Sequence, residues 1–226
     1  MQIARSGPLM RETGQVLAGG LCDDLVMKYS TAMSRLTDVV DGLDRAAQWP
    51  DTTVTAAFVF GTALDANADL ERIEVAFVVA EAAEVVPWMS RPAHLEALAA
   101  VLRFPKLPVL WQWRPEAWSV WNHAIGRAVR VWAATGGRDQ RVLDALAAGR
   151  LDSVTIEEPA GTDELRAELL LERDVGRRHL ETVAESFHDK DWRRAHRGDG
   201  VYPEDHLWWA TAGFLDLDDA IRRLDH

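Results

Sequence analysis

Apolar and polar positions divide the chain into a mixed half and a helical half. Apolar residues recur every three to four positions at Leu21, Leu25, Tyr29, Met33, Leu36, Val40, Leu43 and Ala47, with Asp24, Asp38 and Asp41 off the stripe. That period predicts a long amphipathic helix, stopped by Pro50. Two short apolar runs follow, 54–60 and 73–79, rich in β-branched and aromatic residues and joined by a polar connection, which predicts two strands. Ser90 and Pro92 signal a helix start, Leu95, Leu98, Val101 and Leu102 supply its buried face, and Pro105 ends it. "LPVLWQW", residues 107–113, predicts a third strand.

From Ala117 to Ala134 the spacing of Trp118, Trp121, Ile125, Val129 and Trp132 predicts another helix, broken by Gly136-Gly137. "RDQRVLDALAAGR" adds a short one. Residues 151–162 contain Pro159 and Gly161 and no long period, so a domain boundary is expected there. Beyond it Leu165, Leu169, Gly176, Leu180, Val183 and Phe187 line up on one helix, and after "HRGDGVYPEDH" the C-terminal segment predicts two short helices. The expected fold is α+β: a small mixed sheet with flanking helices over residues 1–150, then a helical domain over 151–226.

Composition narrows the function classes. Of 226 residues, 25 are Lys or Arg and 36 are Asp or Glu, a net charge of −11 that argues against general binding to nucleic acid or an anionic membrane. The arginine-rich stretch from Arg173 to Arg197 is interleaved with Glu172, Asp174, Glu181, Glu185, Asp189 and Asp191, as on a solvated mixed-charge helix face. Cys22 is the single cysteine, which leaves no internal disulfide and no cysteine-based zinc cluster. The N-terminus lacks an apolar signal core, and no apolar stretch approaches the ~18 residues of a membrane span. A cytoplasmic protein is expected.

The first candidate for chemistry lies between the two strands. Phe60-Gly61-Thr62 closes the first, nine residues run from Ala63 to Glu71, and Arg72-Ile73-Glu74-Val75 opens the second. Metal-assisted nucleotidyl transfer needs carboxylates at i and i+2 of a strand, because alternate residues share a face and hold Mg²⁺ against a triphosphate. It also needs a small-residue turn where backbone N–H groups approach phosphate. Residues 21–113 resemble the nucleotidyltransferase superfamily related to DNA polymerase β, whose pattern is an apolar strand ending Gly-Ser or Gly-Gly, a similar spacer, and an acid-apolar-acid triplet. The resemblance implies a substrate cleft completed by the helical half. Gly61 and Glu74 match the pattern and Thr62 replaces Ser, but Arg72 stands at the first acid position, where a cation does not ligate Mg²⁺. The third strand offers only Gln112 for the third acid, and using Glu71 would turn its side chain to the opposite face. The sequence as a whole also resembles an actinobacterial family that brings no activity with it.

The expected function is therefore a non-catalytic nucleotidyltransferase-like scaffold. It would bind a nucleotide, another small molecule or a protein partner through Gly61, Thr62, Arg72 and Glu74, with no cofactor and no metal. One alternative is an active nucleotidyltransferase with displaced acids and Mg²⁺. The other is a hydrolase or lyase in the helical half, where Glu172, Gly176 and His179 fall on one helix side and Asp205 and His206 follow; His transfers protons near neutral pH. A capping role for Asp205 and a hydrogen-bonded core role for His179 compete with that cluster. Ten tryptophans point mostly to core, and adjacent Trp208 and Trp209 diverge by about 100° on a helix, so one of them is expected at an interface with a partner or a second copy. Glu185-Ser186-Phe187-His188 is a single Glu-x-x-His unit where a di-iron bundle needs two. His-Glu-x-x-His, phosphate-loop and Gly-x-Ser-x-Gly motifs are absent from the sequence.

Overall fold

Val54–Phe60 and Ile73–Val79 form antiparallel strands β1 and β2, pairing Phe60 with Glu74 and Val59 with Val75. The computed structural model describes residues 26–50, 52–65, 68–198 and 201–225. Helix α2, Ala93–Val101, crosses from β2 to the parallel strand β3, Val109–Pro115. Strand β4, Ala128–Ala133, pairs with the other side of β1, and the two-residue β5, Gly137–Arg138, completes a five-stranded mixed sheet in the order β3-β2-β1-β4-β5. The architecture is α+β, with a helical C-terminal region.

Both faces of the sheet are buried, which is why its central strands read as continuous apolar runs. On one face Val59, Val75, Phe77, Trp111 and Trp113 pack against α1, Tyr29–Ala46, with α2 and α3, Gln140–Ala147. The α1 stripe holds from Tyr29 onward; Leu21, Asp24, Leu25 and Cys22 lie outside the described residues. On the other face Phe58, Phe60, Ala76 and Val78 meet Trp88, Val120, Trp121 and Ile125, together with Leu169 of α4, Thr162–Ser186, and Leu217 and Ile221 of α6, Pro203–Leu224. The turn Leu151–Ser153 lies in the irregular segment before α4.

Three elements differ from expectation. Residues 117–134 are not a helix: Asn122 Oδ1 accepts the N–H groups of Ala124 and Ile125, Gly126 takes a left-handed φ of 62°, and the chain then enters β4. A side chain that bonds nearby backbone in this way competes with a helix, and it overrides the aromatic spacing. β3 starts two residues later than predicted, at Val109, and runs through Arg114. The C-terminal segment is one helix, α6, preceded by the short α5, Lys190–Ala195. Gly213 does not break α6, because its bare Cα lets the helix press on the backbone carbonyl of Trp88. Among the described residues no helix is long and apolar enough to cross a membrane.

Candidate functional site

The hairpin brings Gly61 and Glu74 together. Gly61 adopts φ +67° at the start of a 3-10 turn, Gly61–Leu64, and Glu74 Oε2 accepts the Thr62 N–H at 3.2 Å. A methyl group at Gly61 would overlap that carboxylate. The amide that could approach a phosphate is thus already bonded to a carboxylate of the chain. Arg72, the residue before β2, is partly buried, as is Glu74. Across β2 and β3, Glu74 pairs with Leu110 and Ala76 with Gln112, so neither partner on β3 supplies a second acid. Among the described residues no group of three or more His, Cys, Asp or Glu is arranged to hold a metal ion.

The acid–base residues expected in the helical half fall into three separate settings. Glu172 is fully buried and grips Arg114 of β3 through two bonds, Nη1 to Oε2 at 2.9 Å and Nη2 to Oε1 at 2.6 Å. Asn122 Nδ2 donates to the same carboxylate at 3.2 Å, Arg114 also donates to the Ser119 carbonyl, and Glu168 accepts the Ser119 N–H at 3.0 Å. Burial pushes the Glu168 carboxyl above its ordinary range, against the pull of the Ser119 N–H. Asp205 instead reaches back to the Tyr202 N–H at 2.7 Å, satisfying a free amide at the start of α6.

His179 and His206 do lie near each other, joined by His196, which the sequence pattern did not single out. The His196 ring stacks on Trp192 at 4.1 Å between centroids and meets His206 edge-on at 5.0 Å, and His206 in turn meets Trp209 at 5.3 Å. Burial, then the neighbouring His196, holds both His179 and His206 below the usual imidazole value, with Asp205 opposing the shift at His206. Trp208 is exposed on the outside of α6. A further pair was not legible at all: His123 Nε2 and Trp88 Nε1 both donate to Asp216 Oδ2, at 2.7 and 2.8 Å. Burial disfavours the Asp216 charge, but the bond and charge of His123 and the Trp88 N–H hold its carboxyl below the ordinary range.

A hollow of about 390 Å³ opens on the sheet face that carries Phe58 and Val78. It lies toward the Val54 end of β1, away from Gly61, and is walled by Glu116 to Val120 on one side and by Arg130, Ala133 to Thr135 and Glu157 on the other. Its volume is within the range of small-molecule sites, roughly 300–1,000 Å³.

A family model described as "Domain of unknown function (DUF7711)" matches residues 27–223, which takes in the sheet and both long C-terminal helices. The chain belongs to the DUF7711 family. No curated protein and no solved structure matches it. The DUF7711 match therefore spans the Gly61 turn, the Arg114–Glu172 pair, the histidine cluster and the hollow in one unit.

Proposed function

We propose that this chain is a non-catalytic scaffold of nucleotidyltransferase-like build that binds a small ligand on its sheet. One observation carries the reading: Glu74, the acid that matches the family pattern, is engaged by the Thr62 amide over Gly61. Its i−2 neighbour is Arg72, and Gln112 stands on the next strand. Two-metal transfer requires several carboxylates converging on the metals, and losing one costs on the order of a thousandfold in rate. The order β3-β2-β1, with the Gly turn facing Glu74 across a hairpin, supports the architectural kinship. An acid–base enzyme in the helical half draws less support, since Glu172 is committed to Arg114 and Asp205 to the α6 start.

The test is a nucleotide panel followed by calorimetry and by product analysis, each with and without Mg²⁺. The expected result is no transfer of a nucleotidyl group and no Mg²⁺-dependent binding. Turnover of any nucleoside triphosphate that disappears on chelation and in Glu74→Gln would overturn the proposal.

A further inference from the structure

The hollow between the 116–120 segment and β4 has a chemical character of its own. Three charged side chains line it, Glu116, Glu157 and Arg130, and among the described residues none of the three makes an ion pair or a side-chain hydrogen bond. Opposite charges that border one cavity without reaching each other leave room for a molecule carrying both signs. The fourth lining group is the Trp118 indole, over which the Arg114 guanidinium sits at 5.5 Å. Arg114 is itself locked by Glu172 and by the Ser119 carbonyl, so the indole hangs on a wall tied to both β3 and α4. The floor, from Ala56, Phe58 and Val78, is apolar.

We infer that this hollow binds a small zwitterion with a flat apolar body, of which an aromatic α-amino acid is the simplest example. The ammonium would face Glu116, the carboxylate would face Arg130 on the opposite wall, and the ring would lie against Trp118 over the apolar floor. This assignment rests on the scaffold reading and gives it a ligand class.

Calorimetry of the full chain with three probes tests it: L-phenylalanine, phenethylamine, which lacks the carboxylate, and 3-phenylpropionate, which lacks the ammonium. L-phenylalanine is expected to bind about tenfold more tightly than either, the worth of one charge-assisted contact. In Arg130→Gln, an exposed position, its affinity should fall to that of phenethylamine, whose own affinity stays within about twofold. In Glu116→Gln it should fall to that of 3-phenylpropionate. No binding of L-phenylalanine at millimolar concentration, equal affinity for all three probes, or affinities untouched by the variants would overturn the assignment and leave the scaffold reading standing. Nucleotide transfer in a parallel sample would overturn the scaffold reading instead, whatever the three probes do.

Discussion

Replacing Glu172 by Gln should be among the most damaging isosteric changes available to this protein. The carboxylate is 0% exposed and its partner Arg114 is 1% exposed, so neither group has water to fall back on. Glutamine keeps the shape and one acceptor oxygen but removes the negative charge, leaving a guanidinium buried with only the amide oxygen and the Ser119 carbonyl to receive its protons. Breaking such a pair from one side costs about 3–5 kcal/mol. Against a total stability of roughly 5–15 kcal/mol, that is about a fifth or more of what holds the fold. Urea denaturation followed by tryptophan fluorescence and far-ultraviolet circular dichroism would read the loss for Glu172→Gln, for Arg114→Met and for the double variant. The double variant should lose less than the sum of the singles, because the stranded charge is gone. If both single variants stay within about 1 kcal/mol of the parent and their effects simply add, the pair is not the strut described above.

The glycines of α4 and α6 should respond in opposite directions. Gly213→Ala drives a methyl into the Trp88 backbone carbonyl and should lose about 1–3 kcal/mol, whereas Gly176→Ala meets only Leu217 Cδ1 at 3.7 Å and should gain up to about 1 kcal/mol; urea midpoints distinguish them. Gly61→Ala combines a positive φ with displacement of Glu74 and should lose about 2–3 kcal/mol, part of which is already spent in Glu74→Ala, so the double variant should fall short of additivity. His179 and His206 are held below the ordinary imidazole value of 6.5, so the unfolded chain takes up their protons first as pH falls. Their contribution to stability is complete above about pH 6.5 and declines as pH drops through the lowered folded value. Urea midpoints at pH 7.5 and 5.5 should differ less in His206→Gln than in the parent, and an unchanged difference would show that His206 is not a source of the decline.

Strands β1 and β2 could be read to the residue, because long apolar, β-branched runs buried on both faces leave few other interpretations. Their adjacency followed from the short connection, and with it the meeting of Gly61 and Glu74. The helix expected from Ala117 to Ala134 fails for a physical reason: Trp118, Trp121, Ile125, Val129 and Trp132 keep a helical spacing, yet local bonds from Asn122 and the turn at Gly126 decide the backbone and lead it into β4. Glu172 drew attention as an acid on a helix, but its partner Arg114 is 58 positions away and no local pattern connects them. The one available signal was the charge of Arg114 near the end of a strand that is otherwise apolar except for Gln112. His196 escaped notice because α5 is too short to show a period, although it brings the third imidazole into the cluster.

Helix α4 spans 25 residues, roughly 37 Å at 1.5 Å per residue. Its residues that join the buried cluster on the sheet, Leu165, Leu169 and Leu170, all belong to the first three turns. The remainder packs along α6 and carries an ion pair from Arg178 to Glu84 at 3.5 Å, with the imidazole–indole group toward its C-terminal end and the Glu172–Arg114 clamp toward its N-terminal end. Arg114 donates both to Glu172 and to the Ser119 carbonyl, so the point where α4 leaves the sheet is tied to one wall of the hollow.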